Sequence, residues 1–543
     1  MGDLRTLARA LADAARLPCG ITFVDRGSEI VRTYAELEAS SRGVADALHA
    51  AGLQRGDLVA IVLSDPEAFL TTLFGASIAG LVPALITPPS TLAGLDRYFE
   101  ATAGVLRAAG ARAVVTDATL APGFDALRPS QPALRRVLDR AALDTSQTRV
   151  GVAAALDDLA FVQFTSGSTS SPKGVALSHR NVAANVAAVN GPSGLATGRP
   201  GDVAVSWLPL YHDMGLVGMV FGALYSGVPA VLLTPHAFVK RPVEWLRAIT
   251  RHRGTISYAP SFAYDLCVRR VKDRDLAELD LASWRVAGCG AEPIHGPTLA
   301  AFAARFGPCG FRASSLLPSY GLAEHVVAAT MAPRGRGPRV ERFAGEEIVS
   351  CGRALPGHEI RIVDDAGRPV PEGRIGEVTL AGPSVMVGYY RQDALTAEAV
   401  RDGWLHTGDL GCLCDGELFV CGRAKDVIIA NGRKFHPQDL EWAVNDLDSI
   451  RRGRVVAFGI AAAGRADRVV LLVEPKGLTS QAGVVEAVRR RVSDAFGVYV
   501  DDVVCVPSGT IGRTTSGKLQ RAAAKRAYER GDFAPVGVDG SAG

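Results

Sequence analysis

Apolar residues along this chain switch repeatedly between helical spacing and short continuous runs. Leu37, Val44 and Leu48 share one helical face within Tyr34 to Ala51, Gly52 stops the run, and Val59 to Leu63 follows as a buried strand. Asp65 and Pro66 then open the next helix, an acceptor followed by a ring at the first turn. Ala113 to Thr116 reads as another short strand, and residues 93 to 158 otherwise carry no chemistry. Alternation of this kind predicts parallel sheets with helices on their faces.

Two uncharged runs, Ala68 to Leu92 and Met214 to Pro235, are long enough to suggest membrane spans. Both are interrupted by glycine and proline, and they resemble each other. Phe74-Gly-Ala-Ser-Ile-Ala-Gly80 leading to Val82-Pro-Ala-Leu-Ile-Thr-Pro88 parallels Phe221-Gly-Ala-Leu-Tyr-Ser-Gly227 leading to Val228-Pro-Ala-Val-Leu-Leu-Thr-Pro235. Each reads as a helix, a glycine stop and a buried strand, so the pair predicts a duplicated α/β layer within one large domain.

The chemistry gathers in Phe164 to Val175, Phe-Thr-Ser-Gly-Ser-Thr-Ser-Ser-Pro-Lys-Gly-Val. It leaves a buried strand at Leu159 to Val162 as a loop. Backbone N–H groups, the hydroxyls of Thr165, Ser166, Ser168 and Thr169, and the cation of Lys173 can all meet one polyanion there. The spacing from Gly167 to Lys173 fails the Walker pattern. A flexible linker is a poor reading, because Ser178 in a capping position and the stripe Val182, Val186, Val189 open a helix directly afterwards.

At 543 residues the chain exceeds one core and divides into at least two domains. Its 48% hydrophobic and 21% charged residues are those of a globular protein, and a net charge of +3 implies no general polyanion surface, which argues against nucleic acid as a partner. Nine cysteines show no C-x-x-C pair. Cys412, Cys414 and His406 fit no common zinc spacing, so incidental thiols in a reducing, cytoplasmic compartment are expected. No secretory signal is read at the N-terminus, and no G-x-S-x-G elbow points to a hydrolase.

The Thr/Ser/Gly-rich loop ending in Pro172-Lys173-Gly174 resembles the signature of the adenylate-forming superfamily, whose members join a carboxylate to AMP from ATP and then usually pass the acyl group to a thiol. Further matches run nearly the length of the chain. Trp207-Leu-Pro-Leu-Tyr-His-Asp-Met-Gly215 and Phe262-Ala-Tyr-Asp-Leu-Cys267 are similar to the fatty acyl-AMP ligase branch, which loads acyl chains onto the phosphopantetheine thiol of carrier proteins. The resemblance places His212 beside the incoming carboxylate. Met214, Met219, Phe221, Leu224, Phe262 and Tyr264 could line an apolar acyl cleft and are equally consistent with plain core.

The same resemblance implies ATP contacts at Thr165, Ser166, Gly167, Ser168, Thr169 and Lys173. It adds an adenine wall at Gly290, Ala291 and Glu292 within Arg285 to Pro293, an aromatic stack at Tyr320 with Gly321, and Mg²⁺ on Glu324. In Trp404 to Gly411 it gives Asp409 the ribose hydroxyls, with Arg423 as a second contact and Lys425 as a hinge. Between Thr330 and Cys351, where many fatty acyl-AMP ligases carry an insertion that disfavours coenzyme A, this chain is shortened, so coenzyme A stands as the alternative acceptor to a carrier protein. His358 to Asp364 and Gly376 to Ala381 read as strands of a small β subdomain. Beyond Lys425, strands at Val427 to Ala430, Val455 to Ile460 and Val469 to Val473, with helices at Pro437 to Asp446 and Gly483 to Phe496, predict a compact α+β unit. It ends at Thr514-Thr-Ser-Gly-Lys518, which resembles the superfamily's invading lysine loop, with Gly512-Arg513 where Pro-Lys is usual.

The expected architecture is therefore α/β. Residues 1–424 form an N-terminal domain of two similar subdomains and a small β part, residues 425–530 a mobile C-terminal domain with the catalytic Lys518, and 531–543 a disordered tail. Glu324, His212 and Lys173 complete the expected catalytic set, with a fatty acid as substrate.

Overall fold

The computed structural model describes residues 4–25, 27–89, 94–143, 154–165, 172–343, 346–430, 433–462, 465–477, 480–513 and 519–533. The chain forms two compact units: Met1–Arg374, Val378–Thr407 and Leu413–Phe419 in one, and Ile375–Glu377, Gly408–Cys412 and Val420–Gly543 in the other.

Two large sheets dominate the large unit. The first has seven strands in the order Gly388–Tyr389, Lys173–Ser178, Leu159–Thr165, Val82–Leu85, Leu58–Val62, Ala113–Thr116, Arg136–Asp139. From Leu159–Thr165 onward these run parallel. Leu58–Val62 is buried at every position, which explains why it reads as a continuous apolar run and not as an alternating one. The second sheet has nine strands and ends in the antiparallel edge strand Ser28–Thr33. Local signals set the helices between them. Thr33 and Glu36 form a capping box at the start of Tyr34–Ala50, Asp65 caps Pro66–Ile78, and Ser178 with Asn181 caps His179–Asn190, where Val182, Val186 and Val189 are buried.

The repeated motif falls in two different sheets. Pro66–Ile78, Gly80 and Val82–Leu85 serve the first; Met214–Ser226, Gly227 and Ala230–Leu233 serve the second. Both glycines take the left-handed conformation, with φ of 70° and 66°, that lets each helix stop in one residue. The matching phenylalanines, Phe74 and Phe221, pack with ring centroids 6.1 Å apart. The second copy departs from the expected helix, since Met214–Phe221 is wound as a π-helix. Among the described residues no helix is long and apolar enough to cross a membrane.

The small β part is a five-stranded sheet of Glu359–Val363, Gly376–Ala381, Trp404–Cys414, Val400–Arg401 and Glu417–Arg423. At the start of its last strand Glu417, its side chain only 2% exposed, takes both guanidinium nitrogens of Arg336 at 2.5 and 2.8 Å and the Ser350 hydroxyl at 2.5 Å. The Arg336 hydrogen bond holds this carboxyl down at about 2. An unfolded glutamate titrates near roughly 4.3, so the linked stability is complete above that value and is lost as pH falls toward 2. Melting temperatures measured from pH 6 down to 2.5 should show wild type losing its lead over Glu417→Gln, a lead on the order of 3 kcal/mol at neutral pH. A constant gap across that range would remove the pair from acid stability.

The smaller unit carries strands Ile450–Ala462, Arg465–Pro475 and Asp502–Cys505, with helices Pro437–Asn445 and Gln481–Phe496. Alternation along the first strand separates two cores. Val455 and Ala457 join Leu440, Val444 and Val488 on one face, while Val456 and Phe458 join Val506, Ile511 and Leu519 on the other. Arg521 opens the helix Arg521–Glu529 and is tied to Glu441, at 2.9 Å to each carboxylate oxygen, and to Asp426 at 3.2 Å.

Candidate active site

Lys173 stands at the first position of a strand, not in a loop running into a helix. Leu159–Thr165 and Lys173–Ser178 pair antiparallel, with Thr165 opposite Lys173. The hydroxyl-rich segment is thus the connection between two hydrogen-bonded strands. Ser166, Gly167, Ser168 and Thr169 lie outside the described residues, as does the side chain of Thr165. Strand Gly388–Tyr389 adds to the far edge, with Tyr389 opposite Val175, and this pairing places the Tyr389 ring 5.0 Å below the Lys173 ammonium.

Tyr389 also donates its hydroxyl to Glu324 Oε1 at 2.9 Å. One tyrosine therefore joins the strand-end lysine to the glutamate, 151 positions apart in the chain. Glu324 sits just past strand Leu316–Tyr320, in a turn that folds back so that Ala329 N–H reaches Tyr320 O at 2.8 Å. Gly321 is required there because a Cβ would stand 1.9 Å from Val327 O. The Glu324 backbone carbonyl accepts from Met386 N–H at 2.9 Å. An oxygen-only carboxylate held in this way suits a hard cation such as Mg²⁺, which takes one or two carboxylates and keeps its waters.

His212, half-buried, follows the short strand Ala204–Ser206 and accepts Leu216 N–H through its carbonyl at 2.9 Å, at the entry to the π-helix. Asp213 caps that helix by accepting Met214 N–H at 2.7 Å. Unusual winding of this kind concentrates at functional sites. Trp207 lies stacked on Phe238, centroids 3.8 Å apart, with Phe262 edge-on at 6.1 Å. Tyr264, Met219, Phe221 and Leu224 are buried.

Gly290 lies close to Ser319, whose carbonyl oxygen would be 2.8 Å from an added Cβ, and Ala291 holds a left-handed φ of 68°. The neighbouring Gly288 has a packing reason for being glycine: a Cβ would fall 2.1 Å from the Tyr258 ring. Glu292 accepts Phe262 N–H at 2.7 Å and so anchors the helix Ser261–Arg270.

In the smaller unit Asp409, 6% exposed, pairs with Arg423 at 3.0 Å across strands Trp404–Cys414 and Glu417–Arg423. The structure thus brings together two residues whose roles the sequence suggests separately. Lys425 is exposed in the short turn Ala424–Asp426. Lys518 lies outside the described residues, but both ends of its segment are fixed. Arg513 and Leu519 form an antiparallel bridge, and Arg513 donates to Gly453 O at 2.5 Å. The residue that sequence reasoning misses is Tyr389; its only local signal is an aromatic residue in a short Gly-Tyr-Tyr run.

Comparison with known proteins fits this geometry. The family model described as AMP-binding enzyme matches residues 11–390, and that of the Disco-interacting protein 2-like AMP domain matches residues 425–535. A Caulobacter vibrioides protein provisionally named an acyl-CoA synthetase is 37% identical over 98% of this chain and 96% of its own. The medium-chain-fatty-acid–[acyl-carrier-protein] ligase JamA of Moorena producens is 33% identical over 94% and 92%. A solved structure from a study of fatty acyl-adenylate ligases of E. coli and L. pneumophila superposes with a TM-score of 0.91 at 35% identity, covering 98% of this chain and 99% of that one.

Proposed function

This chain belongs to the AMP-binding enzyme family, and on that premise we propose that it is a ligase that activates a fatty acid with ATP. The products of that step are acyl-AMP and pyrophosphate, and the acyl group then passes to the phosphopantetheine thiol of an acyl carrier protein. The observation that carries the reading is the Lys173–Tyr389–Glu324 constellation, built on the pairing of strand Lys173–Ser178 with Gly388–Tyr389.

Carboxylate and triphosphate repel each other, so the protein's task is alignment and charge neutralisation. Lys173 and the hairpin N–H groups would hold the leaving phosphates, Asp409 would accept the ribose hydroxyls with Arg423 offsetting its charge, and Tyr320 would stack on adenine. Glu324 would hold Mg²⁺, which on binding supplies positive charge to the phosphate oxygens. His212 would face the fatty carboxylate, and Lys518 would bridge it to the α-phosphate. We assign residues 425–530 as the C-terminal domain, with Lys425 as the pivot that clears the site for the thiol.

The shortened segment at Thr330 to Cys351 and the acyl-CoA synthetase name of one relative favour coenzyme A as the second reading for the acceptor. In this structure the segment forms a hairpin of strands Val340–Phe343 and Glu346–Val349. A panel of fatty acids, assayed for pyrophosphate release and acyl-AMP with holo carrier protein and coenzyme A supplied side by side, tests both readings. Release with medium or long acids followed by loading of the carrier is expected. Acyl-CoA as the sole thioester would overturn the acceptor, and no fatty-acid-dependent pyrophosphate would overturn the activity.

A further inference from the structure

The turn that carries Glu324 is strained, and a buried polar chain ties it down. Val326 has φ 66° and ψ −68°, and Val327 N–H donates to His325 O at 2.9 Å, closing a three-residue turn that a β-branched residue rarely adopts. Such a conformation persists only where its surroundings over-determine it. Here they do. Asn185, fully buried on the helix His179–Asn190, presents its amide nitrogen to Ala328 O at 2.8 Å, His325 O at 3.2 Å and Ser384 Oγ at 3.0 Å.

The direction of every proton in this chain follows from its ends. His358 Nδ1 lies 3.0 Å from Pro356 O, and a carbonyl only accepts, so Nδ1 carries the hydrogen and Nε2 is the bare nitrogen. Ser384 therefore donates to His358 Nε2 at 2.6 Å and accepts from Asn185. By the same reasoning His325 Nδ1 donates to Ala328 O at 3.0 Å. The two imidazoles pack edge to face with centroids 5.0 Å apart. One helix turn earlier, Asn181 reaches Pro383 O and Val385 O at 2.8 and 2.9 Å, and Met386 N–H returns to Glu324 O. Among the described residues Asn185 Oδ1 and His325 Nε2 take no partner, but the bonds that are made join the helix, the turn and residues 383–386, and buried polar links of this kind favour a single arrangement of the segments that they join.

The geometry points to Asn185, Ser384 and His358 as positioning residues that hold the strained turn at Val326 and so aim the Glu324 carboxylate. The inference rests on Glu324 as the metal-holding group of the proposed ligase. Its function would be to fix the cation on the triphosphate before the fatty acid arrives, and the residues touch neither substrate nor metal themselves.

Mn²⁺ replacing Mg²⁺ gives a direct readout. Its affinity, measured by electron paramagnetic resonance with α,β-methylene-ATP bound, should fall about tenfold in Ser384→Ala and Asn185→Leu, the usual effect of losing an outer-shell partner. Metal-free binding of the nucleotide should stay within twofold of wild type, and Ser384→Thr, which keeps the hydroxyl, should restore the metal affinity. Should the polar variants fail to fold, Val326→Gly relaxes the turn with every polar partner left in place, although it removes a fully buried apolar side chain, and should weaken Mn²⁺ in the same way. Wild-type Mn²⁺ affinity in folded Ser384→Ala or Val326→Gly would overturn the proposal. Glu324→Gln separates the two readings: if it leaves Mn²⁺ binding unchanged, the carboxylate is not the ligand, and if it alone weakens binding, only the positioning role is lost.

Discussion

Lys518→Ala should bind ATP normally and form almost no acyl-AMP. Attack of a fatty carboxylate on the α-phosphorus brings two anions together, and the ammonium at 518 is the group proposed to bridge them. Removing one preorganised charge of this kind costs on the order of hundredfold or more in rate. Arg521, three residues on, cannot take its place, because its guanidinium is committed to Glu441 and Asp426 within the smaller unit. Fatty-acid-dependent exchange of labelled pyrophosphate into ATP measures this step alone. Exchange within a few fold of wild type would remove Lys518 from the chemistry, whatever happened to thioester formation.

Glu441→Gln is the largest expected loss of stability. Glu441 is 4% exposed, accepts Ala457 N–H at 3.0 Å and receives Arg521 on both oxygens. Burial pushes its carboxyl up, and Arg521 works against that shift. The amide leaves Arg521 in the interior with Asp426 as its remaining counter-charge. Breaking a buried pair from one side typically costs about 3–5 kcal/mol. Urea unfolding of the full chain, followed by amide exchange at the core strands Ile450–Ala462 and Arg465–Pro475, should show those strands opening earlier while the large unit keeps its protection. Unchanged exchange in those strands would show that the pair contributes little.

What the sequence discloses is local. Leu58–Val62 and Leu159–Thr165 announce themselves as apolar runs because parallel strands are covered on both faces, and the caps at Asp65 and Ser178 place two helix starts within a residue. Lys173, Glu324 and Asp409 are visible because each lies inside a short motif. Tyr389 is not, since its meaning depends on a two-residue strand pairing with a segment 214 positions earlier. The polar chain from Asn185 to His358 is invisible for the same reason: its members come from four separate segments, and each reads alone as an ordinary core or loop residue. The π-winding of Met214–Phe221 also escapes, because its apolar composition suits either winding.

The nine-stranded sheet closes on Ser28–Thr33, and a terminal strand offers backbone groups to any passing chain. Ile30 and Val31 are 47% and 61% exposed there, adhesive side chains in such a place. Glu29 and Arg32 flank them as gatekeepers, the first paired with Arg251 at 2.6 Å and the second with Glu67 at 2.7 Å. These two charged residues are the ones that guard this edge against pairing with another chain. Neutralising both should leave Ile30 and Val31 on an unguarded edge that another chain can pair with.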